Sequence, residues 1–305
     1  MKIGIIGGSG VVGGAWLKSK KNYPHSLFSF QRKESKSDNS SQSYTSLDIN
    51  NAQDVYRKLK GLDLIILSAA HVSYHKKDAK KMFATNVVGT QNVVNACIEN
   101  KVPHLILISS TASLDSSSSP LNITEDNLWD TTSDKTEYAK TKYYSELEAW
   151  RGQEEGLEVA VVCPGIVIGD GLSSKSSNQL YDVIRKKWNV YPTGANGFIN
   201  AKELAKIINL IIEKDAYGRR YLAVTHNIPF KTLFEELAKD LNLPPPQYPL
   251  KGIRFKLALG ASKLLELLVL KSPLPSSGLK NTKETLIYSP ANIYTFLNYK
   301  KGPLL

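Results

Sequence analysis

Tyr138 and Lys142 stand four residues apart in Tyr138-Ala-Lys-Thr-Lys142. On a helix this spacing puts both side chains on one face, one turn apart. An ammonium beside a phenol favours the phenolate, so such a pair can give and take a proton near neutral pH. Tyr56 and Lys60 share the spacing, and position separates the two pairs. Tyr138 follows the apolar run 103–110 (PHLILISS), which leads into Ser109-Ser110-Thr111. A hydroxyl at such a strand end can hydrogen-bond a substrate carbonyl oxygen and orient it. Each of the three could instead close the loop backbone.

A second chemical feature opens the chain: Lys2-Ile-Gly-Ile-Ile-Gly-Gly-Ser-Gly-Val-Val-Gly13. Gly7, Gly10 and Gly13 have the spacing GxxGxxG directly after a strand pattern and at a helix start. The first glycine permits a tight turn, the second lets the backbone approach phosphates, and the third allows close helix–strand packing. The amides of Ser9, Gly10, Val11 and Val12 would then face a pyrophosphate at the helix N-terminus. The next strand pattern ends in Gln31-Arg32-Lys33, where an acidic residue would select the ribose 2′-hydroxyl of NAD. Two cations suit a 2′-phosphate, so NADP(H) is the expected cofactor ahead of NAD. Asp48, in Leu47-Asp48-Ile49, could accept the adenine amino group or serve as a helix cap.

These residues need elements to hold them. Strand patterns fall at 2–6, 26–31, 44–49, 62–69, 103–110 and 158–163, with helix patterns at 11–20, 51–60, 78–100 and 136–155. Strands alternating with helices predict a parallel sheet, and continuously apolar runs such as LIIL predict strands covered on both faces. The fold class expected is α/β, a Rossmann doubly wound parallel sheet with a smaller, mainly helical C-terminal substrate domain. The dinucleotide-binding domain would span 1–168, completed by 196–226, and the substrate domain 169–195 and 227–305. The second half reads as helices at 174–188, 201–214, 230–241 and 253–270, with a strand at 221–225 and a Ser/Pro/Lys-rich tail from 271 that loops over the surface.

A chain of 305 residues, 42% hydrophobic and 22% charged, can bury a sizeable core. Cys97 and Cys163 sit in apolar runs and read as buried free thiols of a reducing compartment. No targeting segment or membrane-spanning run is visible, so a cytoplasmic location is expected. The net charge of +11 favours anionic partners, but the lysines are scattered and no aromatic-interleaved basic tract supports nucleic-acid binding. His71 and His75 have HxxxH spacing without further ligands, so no metal is assigned.

Taken in order, the motifs resemble the extended short-chain dehydrogenase/reductases, in particular the dihydroflavonol reductase and 3β-hydroxysteroid dehydrogenase branch of the epimerase/dehydratase family. The pieces carrying the resemblance are Gly7–Gly13, Asp48, Ser68-Ala-Ala-His71, the run from Asn86 to Val94, Ser109-Ser110-Thr111, Tyr138/Lys142 and Pro164-Gly-Ile-Val-Ile-Gly169. The resemblance implies that Thr111, with Ser110 as fallback, orients the substrate oxygen, that Tyr138 passes the proton, and that Lys142 also holds the nicotinamide ribose. It further implies cofactor contacts from Asp48, Ile49, Ala69, Ala70, His71 and Asn86, and nicotinamide contacts from Pro164, Ile166 and Val167. Cys163-Pro164-Gly165 departs from the Tyr-Phe-Asn usual in nucleotide-sugar epimerases. The expected activity is an NADP(H)-dependent oxidoreductase that reduces a carbonyl or oxidises a secondary alcohol of a small molecule. The alternatives are a nucleotide-sugar epimerase or dehydratase with retained NAD(P), and a non-catalytic NADP-sensing regulator. Assembly as a homodimer is left open.

Overall fold

The computed structural model describes residues 1–20, 25–32, 35–36, 43–73, 75–116, 119–130, 135–169, 178–267, 276, 279 and 282–305. Lys33, and with it the second expected cation of the cofactor loop, lies outside the described residues. Thirteen strands are described. The first half supplies β1 (Lys2–Ile6), β2 (Ser26–Gln31), β3 (Ser35–Lys36), β4 (Ser43–Ser46), β5 (Leu64–Leu67), β6 (His104–Ile108), β7 (Glu158–Pro164) and β8 (Ile166–Ile168). The second half supplies β9 (Val190–Tyr191), β10 (Ala195–Asn200), β11 (Arg219–Ala223), β12 (His226–Pro229) and β13 (Tyr248–Pro249).

The main sheet runs β11-β7-β6-β5-β1-β2-β4-β3. All neighbours from β4 to β11 pair in parallel, and only the short edge strand β3 is antiparallel. Strand order reverses between β1 and β5, so a crevice opens above their carboxyl ends, where ligands bind in this architecture.

The centre of the sheet is buried on both sides because its strands there are apolar at nearly every position, as in Leu64–Leu67. Ile3, Ile5, Leu64, Ile66, Ile106 and Val162 point to one face, with Trp16, Leu204, Ile207 and Ile211. Ile6, Ile65, Leu67, Leu105, Leu107 and Val161 point to the other, with Val55, Leu59, Val93, Cys97 and Ala149. The first face is covered by α1 (Val11–Lys18) and α7 (Ala201–Glu213). The second is covered by α2 (Ala52–Leu59), α4 (Gly89–Glu99) and α5 (Glu137–Glu154). Each such buried aliphatic side chain stabilises by about 1.5–3 kcal/mol, so the two faces hold the crevice rigid from below.

The helix expected at 78–100 is not continuous. A 3₁₀ turn, Lys76–Asp78, leads into α3 (Ala79–Phe83), a wide π turn follows over Ala84–Val88, and only then does α4 begin. Asn86 lies in the π turn, and its side chain bonds the backbone at His71. The widened turn carries one buried polar side chain to the backbone of His71 and to Thr141 of α5.

The smaller part is built on β8, β10 and β12, in the order β12-β10-β8. Phe198, Phe230, Leu233, Phe234 and Leu237 pack there with Tyr181, Ile184 and Leu304. Its helices are α6 (Asn178–Arg185), α8 (Phe230–Asp240) and α9 (Gly252–Leu267). The expectation of a tail on the surface is corrected over 282–305. Tyr288, Ile293, Leu297, Tyr299 and Leu304 are buried, and Asn292–Thr295 forms a short helix, α10. Glu125 draws this segment in, since its carboxylate accepts the backbone N–H groups of Ala291 and Asn292. Among the described residues no helix is long and apolar enough to cross a membrane.

Candidate active site

β1 ends in a turn that only glycine can make. Gly7 has φ +94°, and a Cβ there would lie 2.6 Å from the Ala69 nitrogen. A Cβ on Gly13 would lie 2.5 Å from the Gly7 oxygen. These clashes are with backbone, so no rotamer change relieves them. Gly10 is the N-cap of α1 and supplies no side-chain acceptor, which leaves the first amides of the helix open toward the crevice. Ser9 and Gly10 are exposed, and Val11 and Val12 half-buried.

Around this cradle stand the other expected contacts. Arg32 is exposed just beyond β2, and its backbone carbonyl accepts from Ser46 Oγ. Asp48 is exposed and accepts Asn50's backbone and side-chain N–H groups through Oδ1, at 3.0 and 3.2 Å. The cap of α2 is Asn51, not Asp48. Ile49 turns its side chain into the core against Gly89, leaving its backbone at the edge. Ala69 packs under Gly7, and Ala70 is exposed beside it.

Asn86 joins the cofactor side of the crevice to the helix of the tyrosine. Its Oδ1 accepts the His71 N–H at 2.7 Å, and its Nδ2 donates to the His71 carbonyl at 2.9 Å and to Thr141 Oγ1 at 3.0 Å. Thr141 Oγ1 in turn donates to the Tyr138 carbonyl. Burial, with Lys81 and Arg32 nearby, holds the His71 imidazole below its ordinary pKa against the opposing pull of Asp78, and its buried Nε2 has no partner among the described residues.

β6 delivers the hydroxyls. Ser109 is buried and donates to Glu146. Ser110 accepts the Ala112 N–H and caps a 3₁₀ turn over Thr111–Ser113. Ser109 is thus engaged by α5 and Ser110 by the turn, whereas the half-buried Thr111 meets the Tyr288 hydroxyl. Burial raises the Tyr288 pKa, and the Thr111 hydroxyl opposes that shift.

α5 begins at a Thr136 cap whose hydroxyl accepts the Ala139 N–H. Tyr138 is half-buried, and Lys142, one turn on, is 4% exposed. Lys142 Nζ donates to the Ile108 carbonyl at 2.8 Å, which fixes the ammonium at the end of β6. Burial lowers its pKa to about 8, while the Glu146 carboxylate resists the shift. Pro164 is buried, and Ile166 and Val167 are half-buried on the β7–β8 connection. Gly165 and Gly197 let this connection close, since a Cβ on Gly165 would lie 2.4 Å from the Gly197 oxygen, and one on Gly197 2.5 Å from the Tyr288 ring.

The model of one family, described as NAD-dependent epimerase/dehydratase, matches residues 3–223, which include the glycine cradle, Thr111, Tyr138, Lys142 and the β7–β8 connection. The chain belongs to the NAD-dependent epimerase/dehydratase family. Its members include NAD(P)-dependent oxidoreductases and epimerases of the extended short-chain dehydrogenase/reductase type. A protein of Synechocystis sp., described provisionally as a dihydroflavonol 4-reductase, is 22% identical over 295 residues, 93% of this chain and 85% of that one. Cinnamoyl-CoA reductase 1 of Petunia hybrida is 24% identical over 67% of this chain and 62% of its own. The fold is shared with a nucleoside-diphosphate-sugar epimerase of Pseudomonas aeruginosa, at a TM-score of 0.77, 20% identity, and coverage of 100% and 93% of the two chains.

Within this family member, two residues at the site were not singled out from the sequence. Glu146 extends the Tyr138/Lys142 spacing by a further four residues, a signal the sequence does contain. Tyr288 carries no local signal: it comes from the tail, held by the Asn227 side chain, bonded to both its N–H and its carbonyl, and by a bridge to Ile123.

Proposed function

We propose that the protein is an NADP(H)-dependent oxidoreductase that reduces a carbonyl, or oxidises a secondary alcohol, of a small molecule. The observation carrying this reading is the buried Lys142 ammonium, bonded to the Ile108 carbonyl one helical turn from Tyr138. The cradle suits a dinucleotide: Gly7 and Gly13 admit no Cβ, which draws the turn and α1 close together, and the α1 amides have no side-chain cap. Gly7, Ser9, Gly10, Val11, Val12 and Gly13 would hold the pyrophosphate, Asp48 and Ile49 the adenine end, and Ala69, Ala70, His71 and Asn86 the path between. Pro164, Ile166 and Val167 would wall the nicotinamide. When bound, the cofactor supplies or accepts a hydride.

The chain's own residues do the rest. Thr111 orients the substrate oxygen, and Tyr138 gives it a proton in reduction or takes one in oxidation. Lys142 keeps a positive charge beside the phenol, which lowers the cost of the phenolate. Fixing these groups on β6 and α5 sets the substrate carbon for transfer without a search. Arg32 favours the 2′-phosphate of NADP(H), since a guanidinium makes charge-assisted bonds to phosphate. Residues 169–195 and 227–305 would form the substrate side. The two free, buried thiols fit a reducing compartment such as the cytoplasm.

Following NADPH absorbance across ketones, aldehydes and sugar nucleotides tests the reading. Stoichiometric NADPH loss with a ketone or aldehyde supports it. Inversion of a sugar nucleotide with no net change in absorbance sinks it in favour of an epimerase.

A further inference from the structure

Behind the proposed proton pair lies a carboxylate that the mechanism above does not use. Glu146 is 1% exposed and stands one turn beyond Lys142, so Tyr138, Lys142 and Glu146 share one face of α5. Its Oε1 accepts from the hydroxyls of Ser109 and Ser113, which stand two residues before and two after Thr111. The Cys163 thiol, at the end of β7 just before Pro164, donates to the same oxygen at 3.4 Å. Its Oε2 receives Arg220 from β11, with Nε at 3.0 Å and Nη2 at 2.7 Å. Arg220 is anchored further by donating through Nη1 to the Glu125 carbonyl at 2.8 Å.

We propose that Glu146 is the positioning residue of this site: its buried carboxylate ties the Thr111 turn, the helix of Tyr138 and Lys142, and the end of β7 into one frame, and balances the charge of Lys142. The proposal rests on the oxidoreductase reading for its catalytic consequences. A buried ion pair is weak evidence of stability by itself, because removing two charges from water costs about what their attraction returns. Five donors converging on one carboxylate from the Thr111 turn, β7 and β11 bear instead on geometry, and the two serines among them flank Thr111, whose hydroxyl meets Tyr288. The charged and titratable groups around Lys142 and Glu146 are Cys163 from β7 and Arg220 from β11, with Glu125 and Asp126 behind Arg220. Of these, Glu146 is first among those that favour the ammonium.

The test compares Glu146→Gln, Glu146→Asp and the double variant Glu146→Gln/Arg220→Met. The double variant removes both charges, so it avoids leaving Arg220 buried and unpaired. In protein labelled with ¹³C at lysine Cε, the Lys142 resonance, assigned by its loss in Lys142→Met, should titrate about one pH unit lower in Glu146→Gln and less far down in the double variant, where removal of the Arg220 charge offsets part of the loss. The alkaline limb of kcat/KM should move down with it, and kcat should fall about 10- to 100-fold as the Thr111 turn loosens. Glu146→Asp should return the titration to its original pH while leaving kcat reduced, because the charge remains but the reach to both serines is shortened. A Lys142 titration and an alkaline limb that stay in place in folded Glu146→Gln, or an undiminished kcat in the folded double variant, would overturn the proposal. Loss of fold in both neutral variants would overturn it too, by assigning Glu146 to stability alone. If the wild type turns over no carbonyl, the oxidoreductase reading fails while the lysine titration still decides the role of Glu146.

Discussion

Burial lowers Lys142 from the ordinary lysine value of 10.5 to about 8, and this one residue couples activity to stability. On the proposed mechanism Lys142 is charged when it assists Tyr138, so kcat/KM should fall as pH rises through about 8. Stability moves the other way. The unfolded chain binds the proton more tightly, so the buried charge costs stability in full below about pH 8, and that cost is relieved between about 8 and 10.5. Lys142→Met should therefore be inactive yet more stable at pH 7 by about 1–3 kcal/mol, with the gain fading toward pH 10 in urea titrations. Arg32→Ala should weaken NADPH binding about 10- to 100-fold and leave NADH binding nearly unchanged, since only the 2′-phosphate contact is lost. Equal losses for the two cofactors in fluorescence titrations would assign Arg32 to another task. The residue types were legible at this scale because the chemistry constrains them: a glycine where φ is +94°, a lysine one turn from a tyrosine. What spacing does not carry is the division of labour among Ser109, Ser110 and Thr111, which depends on Glu146 and on the turn that Ser110 caps.

The elements that position these residues are joined by a few polar side chains rather than by packing alone. Asn86 satisfies both backbone groups of His71 and reaches Thr141, so it registers the β5 end against α5. Asn86→Ala leaves these groups short of partners in a buried place and should cost about 1–3 kcal/mol in urea unfolding, with weaker NADPH binding as the strand end loosens. Gly13→Ala should abolish NADPH binding, because its methyl would meet the Gly7 carbonyl at 2.5 Å; unchanged binding by calorimetry would mean the turn has another way to close. Strand positions were plain from apolar runs such as Leu64–Leu67, since a strand covered on both faces has no polar position. The break in the 78–100 helix was not, because periodicity reports which side is apolar and is blind to a side chain recruited by backbone fifteen residues away.

At the scale of the whole molecule, the tail joins the two parts of the fold. Tyr288 packs with the α2, α4 and α5 face of the sheet, Ile293, Leu297 and Tyr299 with the opposite face, and Leu304 with the smaller part. Removing 282–305 strips buried residues from these three cores at once. At about 1.5–3 kcal/mol each, the loss is comparable with the roughly 5–15 kcal/mol of a whole domain, so the truncated chain should show no cooperative unfolding transition. Composition could not foresee this: a segment rich in Ser, Pro and Lys reads as surface, and the residues that anchor it, Glu125 and Asn227, are far away in sequence. The central claim concerns Tyr138, and one comparison tests it most directly. Mixing NADPH-loaded protein with an accepted carbonyl in a single turnover should oxidise one NADPH per site. Tyr138→Phe should slow that step about 10²- to 10⁴-fold while NADPH binding stays intact. A Tyr138→Phe variant that turns over as fast as the wild type would contradict the account.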